Sequence, residues 1–191
     1  MKDKSALRKH LRALRRDHLS ALPENMRALM FSRPPSPVVS QLGQQTTIGL
    51  YSAVSAEAPT LAYARWFHEN GHTLALPWFA NRSAAMTFRS WADPYDNENL
   101  ESGPFGHAQP DDQSAAVVPD TVIVPLIGFT AGCDRIGQGM GHYDRWLEAN
   151  PETKAIGLAW DCQLVDSLPL EPHDRKLHMI VTPTRAYERT D

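Results

Sequence analysis

Cysteine is scarce in this 191-residue sequence, which holds only Cys133 and Cys162. Two such residues give no disulfide framework and no zinc-ligand spacing, so both are expected as free thiols. Long apolar runs are missing as well. The longest, TVIVPLIGF at residues 121–129, falls far short of the roughly 20 residues that a membrane helix needs. The opening MKDKSALRKHLRALRR has no apolar centre of a secretory leader. Nor does one sign of charge dominate: 19 Lys and Arg against 22 Asp and Glu leave a net charge of -3, which argues against a dedicated nucleic-acid binder. With 42% hydrophobic residues the chain has enough apolar surface for one core. These features lead to the expectation of a single domain over residues 1–191, cytoplasmic, with no membrane or nucleic-acid partner; a monomer is expected, although nothing in the composition fixes the oligomeric state.

What is present is an alternation of periods. Leu7, Leu11, Leu14 and His18 recur at helical spacing over residues 4–19. SALPENMRALMF restarts a second helix after Ser20, a residue suited to N-capping, with Pro23 tolerated in the first turn. Residues 32–45 are loop-like, with a short helical piece around Val38, Val39 and Leu42. TTIGLYS (46–52) reads as a buried strand, PTLAYARWFHENGH (59–72) as a helix opened by Pro59 and ended near Gly71, and TLALP (73–77) as the next strand, giving one βαβ unit. AMTFRSW (85–91) is a further strand, while the polar, proline-containing stretch 92–119 resists assignment. TVIVPLIGF has the continuous apolar character of a central parallel strand. YDRWLEAN (143–150) is a helix, and KAIGLAW (154–160), a short QLVDSL helix (163–168) and HMIVTP (178–183) complete the series. Strands alternating with helices predict an α/β fold of three layers, α/β/α: a mostly parallel open sheet with helices on both faces and an N-terminal helical pair.

DRIGQGMGHYDRWLE (134–148) places glycine at every second position, at Gly137, Gly139 and Gly141, between a predicted central strand and a helix. Open α/β sheets bind ligands at that position. Bare backbone N–H groups and a helix N-terminus there favour an anion, phosphate above all. The stretch fits neither the P-loop, which needs a lysine, nor the dinucleotide loop, which would need glycine at His142 or Asp144. The competing explanation is a turn that only lets the helix pack close to the sheet. Arg135, two residues before the first glycine, can clamp phosphate oxygens in bidentate fashion. Asp144 in the first helical turn fits either the helix dipole or a magnesium role. Lys4, Arg8, Arg12 and Arg15 recur at intervals of four and three, so they share one helix face that is either solvated or directed at polyphosphate.

VPLIGFTAGCDRIGQGMGHYDRWL (124–147) resembles the signature of the 5-formyltetrahydrofolate cyclo-ligase family, also called methenyltetrahydrofolate synthetase. In that family a strand ends in Pro-x-x-x-Phe-Asp and leads to Arg-Leu-Gly-x-Gly-x-Gly-Tyr-Tyr-Asp. KSALR (4–8), EAPT (57–60), LPWFANRSAAM (76–86), GPFGHAQP (103–110) and DCQLVDSLPLEPHD (161–174) resemble its other blocks in the same order. The resemblance implies conversion of 5-formyltetrahydrofolate to 5,10-methenyltetrahydrofolate with ATP and Mg2+, releasing ADP and phosphate. It implies that Lys4, Arg8, Arg135 and the segment Gly137, Gln138, Gly139, Met140, Gly141, His142 and Tyr143 hold ATP, and that Arg135 and Tyr143 serve catalysis. It places Glu57, Phe79, Met86, Phe105 and Tyr143 around the reduced folate, and Asp144 on magnesium.

Departures from the family pattern are specific. Thr130 stands where the family has aspartate, Cys133 where it has glycine, His142 where it has the first tyrosine, Gln109 where it has glutamate, and His178 where a carboxylate is common. His142 keeps an aromatic ring and a hydrogen-bonding tip. His173, Asp174 and His178 lack a third well-spaced partner for a metal site and fit a loop hydrogen-bond network better. Two rival functions remain: a non-catalytic folate-binding paralogue, in which Thr130, Cys133, His142 and His178 mark lost phosphoryl transfer, and an enzyme of a different class that handles phosphosugars or coenzyme A on a similar sheet.

Overall fold

The central strands are apolar on both faces, a composition that requires cover on both sides of a sheet. In the computed structural model, which describes residues 3–54, 56–171 and 174–189, the elements run α1 (Lys4–Ala21), α2 (Glu24–Leu29), α3 (Ser36–Val39), β1 (Thr47–Gly49), α4 (Leu61–Glu69), β2 (Thr73–Trp78) and β3 (Thr87–Trp91). They continue with β4 (Leu100–Ser102), β5 (Ala108–Pro110), β6 (Ala116–Val117), β7 (Thr121–Pro125), β8 (Gly128–Phe129), β9 (Arg135–Ile136), α5 (His142–Ala149), β10 (Lys154–Leu158), β11 (Met179–Val181) and β12 (Ala186–Glu188). Eight strands form one sheet in the order β12-β11-β10-β7-β1-β2-β3-β6. The pairs from β11 through β10, β7 and β1 to β2 are parallel, and β12, β3 and β6 add antiparallel edges.

Strand alternation sorts the core into two layers. Ile48, Leu74, Leu76, Ile123, Ile156, Leu158, Met179 and Val181 face one side, against Tyr63 and Phe67 of α4, Val38 and Leu19. Ala75, Val122, Val124, Ala155 and Ile180 face the other, against Trp146 and Leu147 of α5. Phe67 and Ile48 are fully buried, and side chains of that size contribute about 1.5–3 kcal/mol each when removed from water. The expected three-layer α/β arrangement is therefore the one observed. No helix among the described residues is long and apolar enough to cross a membrane, and both cysteines are free.

Several local expectations are corrected. Ser20 is not an N-cap, because α1 continues to Ala21 and Pro23 precedes α2. The residue before a proline is driven out of the helical region, and Leu22 is extended with φ -83° and ψ 128°. Helix α4 opens at Thr60 rather than at Pro59. TVIVPLIGF is not one strand: β7 ends at Pro125, and Gly128–Phe129 pairs with Arg135–Ile136 in a separate hairpin. The carbonyls of Leu126 and Ile127, which leave the ladder, accept hydrogen bonds from the buried amide of Gln163 at 2.8 and 3.0 Å. Gln163 also accepts from the amide of Trp160, so its segment is a 3-10 turn over Asp161–Gln163 and not a QLVDSL helix. The unassigned 92–119 stretch holds β4, β5 and β6, and β12 was not anticipated.

Candidate active site

The β8–β9 hairpin sets Arg135 and the glycine loop at the carboxyl end of the parallel sheet. Its turn is closed by Thr130 N donating to Asp134 O and Cys133 N donating to Thr130 O, both at 3.0 Å. Thr130 Oγ1 donates to Asp134 Oδ2 at 3.0 Å, so the threonine that replaces an aspartate of the family pattern ties the turn to itself. Cys133 adopts φ 64°, a left-handed conformation that glycine enters without steric cost. The thiol is fully buried and donates to Tyr187 O at 3.3 Å; burial raises its pKa above the ordinary thiol value.

Helix α1, capped by Asp3 accepting from Ser5 N at 2.9 Å, packs Leu11 against Ile127 and Ile136 of the hairpin. That contact turns its basic face onto the loop. Arg8 Nε donates to Gly137 O at 2.9 Å, and Arg12 donates to Gln138 Oε1 at 2.7 Å. Gln138 Nε2 in turn donates to Glu57 Oε1 at 3.2 Å. Lys4 lies 2.6 Å from Glu171 and 2.7 Å from Asp174. Burial acts to lower its pKa, but hydrogen bonds and attraction to those two carboxylates outweigh it and the pKa is raised.

The alternating glycines have a steric reason. A Cβ on Gly137 would stand 3.2 Å from the Arg135 guanidinium, one on Gly139 3.3 Å from that of Arg8, and one on Gly141 2.8 Å from that of Arg145. Gly139 and Gly141 also take φ of 105° and 66°, conformations strained for side-chain-bearing residues. Each missing Cβ admits one guanidinium to the backbone. Among the described residues, the amides of Gly137 to Gly141 donate to no backbone carbonyl. Bare amides ringed by cations make an anion cradle at the N-terminus of α5.

The cradle is one wall of a cavity of about 460 Å³. Lys4, Arg8, Glu57, Arg135, Gly137 to Tyr143 and Asp144 line it, and so do Phe79, Met86 and Phe105. Every residue that the sequence assigned to a site thus borders one space. On the apolar side, Phe79 and Phe105 meet edge to face with ring centroids 4.9 Å apart. Phe79 is held by Gln109, whose Oε1 accepts from Phe79 N at 3.1 Å and whose Nε2 donates to Phe79 O at 3.2 Å and to Glu101 at 3.1 Å. An amide can both donate and accept; a carboxylate at that position would lack the donor.

Arg135 and Asp144 form an ion pair at 2.6 Å with both side chains largely buried. Arg135 Nε and the Tyr143 hydroxyl are buried with no hydrogen-bond partner among the described residues. Burial, then the charge of Glu57, raises the Tyr143 pKa against the smaller opposing effect of Arg135, so the phenol stays a donor. Unpaired buried donors are costly, and two in one cavity wall suit a ligand rich in acceptor oxygens. For magnesium, no group of three His, Cys, Asp or Glu residues is arranged to hold an ion among the described residues. Magnesium commonly takes one or two carboxylates and completes its shell with phosphate and water, and Asp144 fits as one such anchor. His178 Nδ1 accepts from Ala155 N at 3.0 Å and serves the sheet; His173 lies outside the described residues.

Sequence reasoning missed Arg145. Its guanidinium donates to Met140 O at 2.9 Å and contacts His142 Nδ1 at 3.3 Å. The only sequence signal was its position four residues after Gly141, one helical turn on.

The chain is 42% identical over 71 residues to a 5-formyltetrahydrofolate cyclo-ligase of Escherichia coli, a match covering 36% of this chain and 39% of that protein. It is 28% identical over 144 residues to a protein of the same name from Mycolicibacterium smegmatis, covering 73% of this chain and 74% of that one. The fold matches the solution structure of Aquifex aeolicus 5,10-methenyltetrahydrofolate synthetase with a TM-score of 0.77 at 24% identity, over 98% of this chain and 93% of that one. Residues 1–183 match the model of the 5-formyltetrahydrofolate cyclo-ligase family, and with the anion cradle and the apolar wall in one cavity, the chain belongs to that family.

Proposed function

We propose that the protein converts 5-formyltetrahydrofolate to 5,10-methenyltetrahydrofolate, consuming ATP and releasing ADP and phosphate, by phosphorylation of the formyl oxygen and ring closure. The observation that carries this reading is the meeting of a cationic glycine cradle and an aromatic wall in one cavity. When bound with Mg2+, ATP supplies the phosphoryl group that makes the formyl oxygen, otherwise a poor amide leaving group, able to depart. The amides of Gly137 to Gly141 with Arg8 and Lys4 bind the polyphosphate. Arg135, whose Nε is unpaired, stabilises charge spread over the transferring group. Tyr143, kept protonated by burial, donates a hydrogen bond at the boundary between the two walls. Glu57 accepts from the amino and amide groups of the pterin, and Phe79, Met86 and Phe105 cover its ring. Asp144 holds the metal.

A non-catalytic folate binder draws on one observation: Arg135 and Asp144 already satisfy each other at 2.6 Å. The two readings separate in a single assay. Purified protein is given 5-formyltetrahydrofolate with and without Mg-ATP, and the near-ultraviolet absorption of the methenyl product is followed. Product that forms only with Mg-ATP supports the cyclo-ligase; folate binding without turnover under any condition supports the paralogue.

A further inference from the structure

We infer that His142 is a hydrogen-bond donor to the reduced folate rather than a nucleotide contact, and that Arg145 is the positioning residue that fixes which ring nitrogen carries its proton. The identity of the ligand rests on the function proposed above; the state of the ring does not. The His142 ring lies with the aromatic wall, its centroid 4.8 Å from that of Phe79 and 5.3 Å from that of Phe105. The guanidinium groups of Arg8 and Arg135 instead gather at Gly139 and Gly137. Arg145 Nη2 stands 3.3 Å from His142 Nδ1 and 2.9 Å from Met140 O, so both of its hydrogens have acceptors.

A guanidinium has no acceptor to offer. Nδ1 must therefore accept, and the proton of the neutral ring sits on Nε2. Nε2 is buried and has no partner among the described residues, which leaves one donor without a protein acceptor on a ring that packs against Phe79 and Phe105. Gly141 is a condition of this arrangement, because a Cβ there would fall 2.8 Å from the Arg145 guanidinium. The departure from the family pattern then has a logic. A tyrosine hydroxyl at this position rotates to suit its acceptor, whereas a histidine has two neutral forms of which one donates toward the ligand, and Arg145 selects it.

The ring state is read directly by long-range proton–nitrogen correlation on protein carrying 15N-histidine at neutral pH, with His142 assigned by its loss in H142Y. The inference expects a bare Nδ1 and a protonated Nε2, and a mixture of the two neutral forms in Arg145→Ala. A proton on Nδ1 in the wild type, or an unchanged form in Arg145→Ala, overturns it. This readout needs neither ligand nor turnover, so it stands if the cyclo-ligase reading falls.

Kinetics then test the ligand. Losing a single neutral hydrogen bond corresponds to about a fivefold to tenfold effect, so His142→Phe should raise the KM for 5-formyltetrahydrofolate by about that factor, with the KM for ATP unmoved and His142→Tyr recovering most of the loss. A rise confined to the KM for ATP overturns the assignment to the folate. If the protein neither binds nor turns over 5-formyltetrahydrofolate, the donor role falls with the proposed function while the ring measurement still decides the Arg145–His142 pair.

Discussion

The two walls of the cavity are built by opposite means. The cradle is made of backbone: glycines admit the guanidinium groups of Arg135, Arg8 and Arg145, and a helix from the far end of the chain supplies the charge. The aromatic wall is made of side chains: Phe79, Phe105 and His142 lean on one another, and a single buried amide, Gln109, holds the backbone of Phe79. A wall of backbone tolerates almost no added atom. A wall of packed rings tolerates substitution in proportion to the surface lost.

The largest effect should come from Arg135→Ala. It removes the cation proposed to act on the transferring group and leaves the largely buried Asp144 without its 2.6 Å partner. Turnover followed by methenyl absorption should fall by about 100- to 1,000-fold. A loss below tenfold would place the phosphoryl chemistry elsewhere. Gly139→Ala comes next. It puts a Cβ at φ 105° and 3.3 Å from the Arg8 guanidinium, and forcing a side chain into such a backbone costs about 1–3 kcal/mol. The KM for ATP should rise by at least tenfold, with the KM for folate little changed. The reverse pattern would merge the two walls into one.

On the other wall, Phe105→Ala should weaken 5-formyltetrahydrofolate binding by about tenfold, as loss of an aromatic pair and its buried surface implies, and leave ATP binding within twofold by calorimetry. Gln109→Glu restores the family's residue type but removes the donors to Phe79 O and Glu101, and it brings a second carboxylate to Glu101. Urea unfolding should show a loss of about 1–3 kcal/mol, accompanied by a modest rise in the KM for folate alone. The smallest change belongs to Arg12→Ala, whose exposed contact to Gln138 should contribute less than about 1 kcal/mol and shift kcat/KM by less than about threefold.

The cradle was far more legible in the sequence than the wall opposite. Alternating glycines after an apolar strand have few explanations, and the parallel core announced itself through runs such as TVIVP and KAIGL, whose residues are apolar on both faces. Strands β4 to β6 carry two or three residues each, too few to show a period, so their stretch could not be read. The break after Pro125 depends on Gln163, a buried amide 36 and 37 positions away, and no local pattern reports a bond of that range. Phe79, Met86 and Phe105 are single apolar residues, indistinguishable from core by type; only the family resemblance raised them. Arg145 sits on the exposed side of an amphipathic helix, and its role follows only from its contacts to Met140 O and His142 Nδ1 and its closeness to Gly141.

The contacts that hold α1 over the site bear on when the protein becomes competent during its own synthesis. Arg8 and Arg12 reach across 129 and 126 positions to the glycine loop, and Lys4 across 167 and 170 to Glu171 and Asp174. A chain grows from its amino end, so the basic helix leaves the ribosome with none of these partners yet made. An isolated helix of 18 residues is only marginally stable in water, and closing loops this long is slow. The cradle is therefore complete only after the glycine loop has been made and α1 has closed over it, and the contacts of Lys4 only after Asp174 has followed.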